Sequence, residues 1–543
     1  MSMGSESTGS GGAMQDWSMR VTHVIDHAAR EAGSREIVTR WADGTTTRTD
    51  WAGIRRDALK MAQALGAIGL KPGDKVASLA MNHARHLVSW YGVAGMGGVL
   101  HTVNPRLFED QLEYVINHAD DRVLLYDAAF QPIVDLMRDR WPNVEHYICF
   151  DPPAGSDMRS FEDWIGEQDG DFEWVTGSER DPCMICYTSG TTGNPKGVQY
   201  EHRSTLMHAM AGLQPAAFNF SASSVMLPVV PMFHAASWGL PYAGAMAGIK
   251  FVFSAVNDPA VLHELMLSEG VTDSAGVPTV WLAHFQYCDK ESIDLPPLKA
   301  ATIGGSAAPK FMIERLMKNG TRVQHAWGMT ETSPIGTVGG PTADWEHLSF
   351  DEKVAKTMKQ GRPIFGVELR TVDLDDFTRV LPRDGETSGA LQIRGPWVVQ
   401  RYFKAEEDAV TEDGWFDTGD VGILHPDGTL QLTDRTKDVI KSGGEWISSV
   451  ELENAAVGHP AVAEAACIGM PHPKWDERPV LFVVRKEGAA CSDTEVVEFL
   501  SDKVAKWWLP DAVEFVDDIP HTATGKISKK DLRDRFSDYA LEI

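Results

Sequence analysis

Residues 54–80 read IRRDALKMAQALGAIGLKPGDKVASLA. Ile54, Ala58, Met61, Leu65 and Ile68 fall on one face of a helical repeat, so the stretch opens as an amphipathic helix. Gly69 and Pro72 stop it, since glycine accepts the left-handed backbone at a helix end and proline cannot continue the ladder. Residues 75–80, KVASLA, then read as a buried strand. The same helix–strand alternation recurs through residues 123–126 and 147–150, and it implies a doubly wound, mostly parallel sheet. The expected class is α/β.

Beyond Asp434 the texture changes. A charged run, Asp434-Arg435-Thr436-Lys437-Asp438, leads to a short strand and the turn at Gly443 and Gly444. Ser448 and Glu451 are spaced as a capping box that opens a helix. Ser492 and Glu495 repeat that spacing ahead of Val496, Val497, Leu500 and Val504 on one helical side. With 543 residues the chain exceeds one ordinary core. The expectation is a large N-terminal domain of doubly wound sheets over residues 15–434 and a small, mobile α+β domain over residues 439–543. Residues 1–14, rich in Gly and Ser with no apolar core, read as a disordered leader rather than a secretory signal.

A formal net charge of -27 disfavours nucleic acid as a partner, and any polyanion must be held by local donors against the global field. No apolar run approaches the ~20 residues of a membrane span. Cys183 and Cys186 form a C-x-x-C pair, but no second Cys or His pair lies nearby. Two buried strand thiols in a reducing cytoplasm explain them better than zinc or redox chemistry.

An apolar run at residues 183–187 delivers the loop TSGTTGNPKG at residues 188–197. It offers hydroxyls at Thr188, Ser189, Thr191 and Thr192, glycine backbone at Gly190, Gly193 and Gly197, and the cation of Lys196. Glycines let the chain wrap an anion while hydroxyls and amides bond phosphate oxygens. A Walker loop is excluded, because Gly197 and Val198 follow the lysine where a magnesium-binding hydroxyl would be needed.

This loop resembles the phosphate-loop signature of the adenylate-forming superfamily, which includes acyl-CoA synthetases, luciferases and peptide-synthetase adenylation domains. Later stretches resemble its other signatures in order: GGSAAP at residues 304–309, WGMTET at 327–332, GWFDTGD at 414–420, DRTKD at 434–438, and Thr524-Gly525-Lys526. The resemblance implies a two-step ligase using ATP, Mg2+ and coenzyme A. Gly305, Ser306, Ala307 and Gly328 would then border the nucleotide, Trp327 would stack on adenine, and Thr330 would meet the α-phosphate. Asp420 would take both ribose hydroxyls, with Arg435 beside it. Glu331 and Thr188 would hold magnesium. Lys526 would be the catalytic cation between the attacking carboxylate and the α-phosphate. Residues 435–438 would be a hinge with Lys437 as pivot, bringing Lys441, Gly443, Gly444, Glu445 and Trp446 to the thiol's path.

Trp446 and the run SGGEWIS look like the medium- and long-chain fatty-acyl-CoA synthetase branch, as does PMFHAASWGLP at residues 231–241. There His234 would border the carboxylate, while Trp238 and Gly239 would line the acyl pocket; ordinary helix core is the bland alternative for this stretch. A short or aryl acid such as 3-methylthiopropionate, or an acyl-AMP ligase without CoA transfer, stays open. The resemblance also allows a homodimer.

Overall fold

The computed structural model describes residues 14–188, 194–443, 445–521, 527–539 and 541. Ser189, Gly190, Thr191, Thr192, Gly193, Gly444 and Lys526 lie outside them, as does the Glu445 side chain.

The helix expected from the opening stretch spans Trp51–Ala67, capped by the Asp50 carboxylate accepting from the Gly53 amide, and the strand spans Lys75–Leu79. That strand sits inside a six-stranded sheet. In order, the strands are His146–Cys149, Asp121–Tyr126, Lys75–Leu79, Val99–Thr102, Pro182–Tyr187 and Gly197–Glu201. All neighbours pair in parallel except the last two, which form an antiparallel hairpin around the glycine-rich loop. A nine-stranded sheet lies beside it. Its six central strands, from Arg322–Gly328 through Ala300–Ile303, Asp273–Gly276, Val225–Pro228 and Lys250–Ser254 to Glu36–Arg40, are parallel. Trp51, Trp90, Tyr91 and Tyr242 are buried in one apolar core that the two sheets share. A four-stranded antiparallel sheet follows, ending on Phe416–Leu424 and Leu430–Arg435.

From Ile440–Ser442 onward the strands build a separate sheet with cores of its own, in which Ile440, Leu452, Val462, Leu481 and Leu500 are buried. The fold is thus α/β with a large sheet-bearing N-terminal part and a small C-terminal one. Of the two expected capping boxes, Ser492 and Glu495 form both bonds. Ser448 accepts from the Glu451 amide, but its hydroxyl donates to the Thr433 carbonyl and no box forms. Asp434 lies at this junction, buried, and its carboxylate accepts the Ser449 amide at 2.5 Å and hydroxyl at 2.6 Å. The buried Lys529 ammonium reaches Ser449 Oγ at 2.5 Å and Glu453 Oε1 at 2.8 Å. Burial pushes Glu453 up to about 7 although Lys529 pulls the other way. Burial alone would lower the Lys529 ammonium, but Glu453, Asp434 and Asp438 outweigh it and raise it.

Candidate active site

Three elements converge where the four-stranded sheet meets the nine-stranded one. Asp420 and Arg435 are directly opposed across antiparallel strands, and Arg435 Nε reaches Asp420 Oδ1 at 2.9 Å. The other carboxylate oxygen, Oδ2, accepts the indole N–H of Trp327 at 2.8 Å. Trp327 is the penultimate residue of its strand, and the register shifts between it and Gly328. Only glycine fits there, because a Cβ would stand 1.7 Å from the Pro334 carbonyl oxygen. The irregularity re-aims the indole toward Asp420. Trp327 is 7% exposed and packs against Gly336.

Glu331 follows within the same turn and is 8% exposed. Its Oε1 accepts the hydroxyl of Tyr402 at 2.8 Å, and the Lys196 ammonium lies 4.7 Å over that tyrosine ring. Burial pushes the Glu331 carboxyl above its ordinary value, against the pull of Tyr402, Arg435 and Lys196. Such a carboxylate favours a cation at its side. With one buried acid and a hydroxyl at Thr188, the residues suit a hard divalent ion that also takes substrate oxygens. Thr330, alongside, is buried, and its carbonyl accepts the Tyr200 hydroxyl at 2.8 Å.

The base of the glycine-rich loop is closed by two bonds. Thr188 N–H donates to the Lys196 carbonyl at 2.9 Å, and Lys196 N–H to Thr188 Oγ1 at 3.1 Å. Thr188 and His234 line one small cavity together with His101, Asn104, Tyr187 and Phe233. His101 is anchored from behind by Asp121, Nδ1 to Oδ2 at 2.6 Å, with both side chains fully buried.

Past His234 the chain does something no periodicity signals. Ala235, Ala236, Ser237 and Trp238 all have positive φ, from 44° to 56°, and Gly239 follows at 73°. Left-handed backbone costs L-residues roughly 1–2 kcal/mol each. The surroundings hold it: Ser237 Oγ donates to the Val230 carbonyl at 3.0 Å, and Asn82 takes the Met232 amide while donating to the Pro228 and Val230 carbonyls. Gly239 is required, since a Cβ would lie 2.6 Å from the His208 ring. The stretch is therefore not ordinary helix core; the helix starts only at Leu240. Trp238 is buried in this turn, beside Gly304. Strain kept in place by dense support is characteristic of functional segments.

Gly305 and Ser306 are exposed at the end of strand Ala300–Ile303, with Ala307 half-buried. Lys437 is exposed, and the neighbouring Asp438 pairs with Arg533 at 2.6 Å. Lys441 meets Asp375 at 3.1 Å and lies 5.0 Å over the Trp446 ring, while Gly443 packs on Trp475. Lys441, Gly443 and Trp446 are thus engaged with these partners rather than with the Glu331 cluster. Tyr402, Tyr200, His101 and Asp121 escaped sequence reading, each being brought in by pairing between distant segments with no local motif.

The model of the AMP-binding enzyme family matches residues 25–403, and that of the AMP-binding enzyme C-terminal domain matches residues 451–526. A 3-methylmercaptopropionyl-CoA ligase of Ruegeria lacuscaerulensis is 46% identical, over 97% of this chain and 99% of its own length. A medium-chain-fatty-acid–CoA ligase of Ectopseudomonas oleovorans is 44% identical, over 98% of each chain. The crystal structure of the anthranilate CoA ligase AuaEII in complex with anthranoyl-AMP superposes with a TM-score of 0.83 at 24% identity, covering 95% of this chain and 97% of that one, and speaks for the fold alone. The chain belongs to the AMP-binding enzyme family.

Proposed function

We propose that this chain is an AMP-forming acyl-CoA synthetase. It joins a fatty acid of medium to long chain to ATP as acyl-AMP, releasing pyrophosphate, and then moves the acyl group to coenzyme A, releasing AMP. The observation that carries this reading is the convergence of Trp327, Asp420 and Arg435 with Glu331, Tyr402 and Lys196 at one sheet junction.

Asp420 takes the ribose hydroxyls, oriented by Trp327 and Arg435. Thr330, Lys196 and the loop at residues 188–193 hold the phosphates, bordered by residues 305–307. Glu331 and Thr188 would hold Mg2+, which when bound would supply charge neutralisation for departing pyrophosphate. His234 borders the acid's carboxylate, with Trp238 and Gly239 at the acyl pocket. Lys526 offsets charge as carboxylate approaches phosphate. In this reading the large domain is residues 15–434 and the small domain, residues 439–543, turns about Lys437, bringing residues 441–446 to the thiol's path. Six free, buried cysteines support a reducing, cytoplasmic setting.

Trp327→Phe keeps an aromatic face but removes the donor to Asp420. A hydrogen bond to a charged group contributes about 1.5–3 kcal/mol, so the KM for ATP should rise about tenfold or more with kcat changed far less. An unchanged KM would show that the indole N–H does not orient the carboxylate.

A second reading takes 3-methylthiopropionate as the acid, favoured by the 46% identical relative and by the buried position of Trp238. A carboxylic-acid panel from acetate to palmitate, with methylthiopropionate and aryl acids, scored by AMP release, decides. The fatty-acid reading expects the highest kcat/KM for medium to long chains. A maximum at methylthiopropionate replaces it with the second reading, and no AMP from any acid overturns both.

A further inference from the structure

Two helices on the flank of the nine-stranded sheet, Pro259–Ser268 and Pro278–Glu291, bring together three side chains that the ligase reaction does not use. His284 and Cys288 stand one turn apart on the second helix, so they share a face. His263 faces them from the first. His263 Nδ1 lies 3.1 Å from His284 Nε2 and 3.7 Å from Cys288 Sγ. One donor atom from each of the three falls within 4.8 Å of the others, and all three residues are buried.

The bland alternative is a histidine pair sharing one proton, with a thiol nearby. Several features exceed it. In a tetrahedral zinc site the usual bond lengths place nitrogens about 3.3 Å apart and nitrogen about 3.6 Å from sulfur. The two separations lie close to those spacings without backbone movement. Both imidazoles are buried between the two helices, and in its neutral form each has a lone pair to offer a metal. Arg315, a cation that acts on His284 and Cys288, is already paired with Asp289 through two bonds of 2.6 and 2.9 Å.

We propose that His263, His284 and Cys288 form a binding site for a borderline-soft divalent ion of the Zn2+ class, with a fourth, open position. Imidazole with thiolate selects such an ion over Mg2+, which prefers oxygen. On binding, the Cys288 thiol gives up its proton to solvent and the thiolate sulfur coordinates; the shared imidazole proton leaves the inner nitrogens for an outer one. No oxidation state changes. The ion would clip the two helices together. It would not be the magnesium of the nucleotide site: the second helix starts beside Gly305, through Val277, and Cys288 lies about 16 Å farther along it at 1.5 Å per residue.

The test uses the full-length protein, freed of metal by a chelator under a non-thiol reductant, and titrated with Zn2+ and with Co2+ as an optical probe. Wild type should bind one Zn2+ per chain that survives added Mg2+, and Co2+ should give a thiolate-to-metal charge-transfer band. Cys288→Ser should abolish the band and weaken Zn2+ binding about 100-fold or more, since loss of even an outer partner costs 10–100-fold. His263→Gln should weaken binding likewise. Thermal melts in chelator establish that both variants are folded. Absence of the band in wild type overturns the proposal whatever the variants do. So does a band of undiminished strength in Cys288→Ser, which would place the ion on another cysteine.

Discussion

Lys526→Ala is expected to slow acyl-adenylate formation by about 10²–10³, the usual cost of losing one preorganised charge contact to a transition state. A carboxylate must attack an anionic phosphate while negative charge builds at the α-phosphorus, and the proposed role of Lys526 is to offset that charge. The residues flanking its loop are anchored: His521 and Ile527 pair across the base, and His521 Nε2 meets Glu464 at 2.6 Å. ATP affinity should change far less, because the proposed nucleotide contacts of Asp420 and the loop after Thr188 do not depend on Lys526. Thioester formation from supplied acyl-AMP should be largely spared, because in the proposed cycle the small domain has turned by then. Single-turnover assays of each half-reaction separate these outcomes. Adenylation at near wild-type rate would remove Lys526 from the mechanism.

Lys529, three residues on, should fail in the opposite way. Its ammonium, 8% exposed, is the buried cation between Glu453 and Asp434. Lys529→Met fills similar volume but leaves both carboxyls buried without their counter-ion, a loss of about 3–5 kcal/mol. The damage should grow with pH. Glu453 is raised to about 7, so its protonated form favours the fold. Stability is then fully present below the ordinary carboxylate range and is lost as pH climbs through about 7. Denaturant melts at pH about 5 and about 8 should show a midpoint drop that is larger at the higher pH. Equal stability to wild type at both would mean the cluster is not held by this lysine.

The alternation of helix and strand was legible because Ile54, Ala58, Met61 and Leu65 pack on one helix face and are all buried. Trp327, Asp420 and Arg435 were legible as a set through their motifs, and the structure does join them. Tyr402 was not, because its contact with Glu331 depends on how the chain returns after strand Ser388–Arg394, not on local spacing. The left-handed turn at Ala235 to Gly239 gave no signal either. Alanine, serine and tryptophan do not prefer that backbone, and it is imposed by the Ser237 to Val230 bond together with the Asn82 and His208 packing. Asp434 looked like part of a charged linker, yet Ser449 and Lys529, both distant in sequence, make it a buried anchor. Long-range partners decide these roles.

The central claim, activation of an acid through its adenylate before thiol transfer, is tested most directly by product stoichiometry. With acid, ATP and Mg2+ but no coenzyme A, the protein should release pyrophosphate in an amount close to its active sites and retain acyl-AMP. Adding coenzyme A should then discharge AMP and the thioester in equal amounts. ADP and inorganic phosphate as the products would contradict the account.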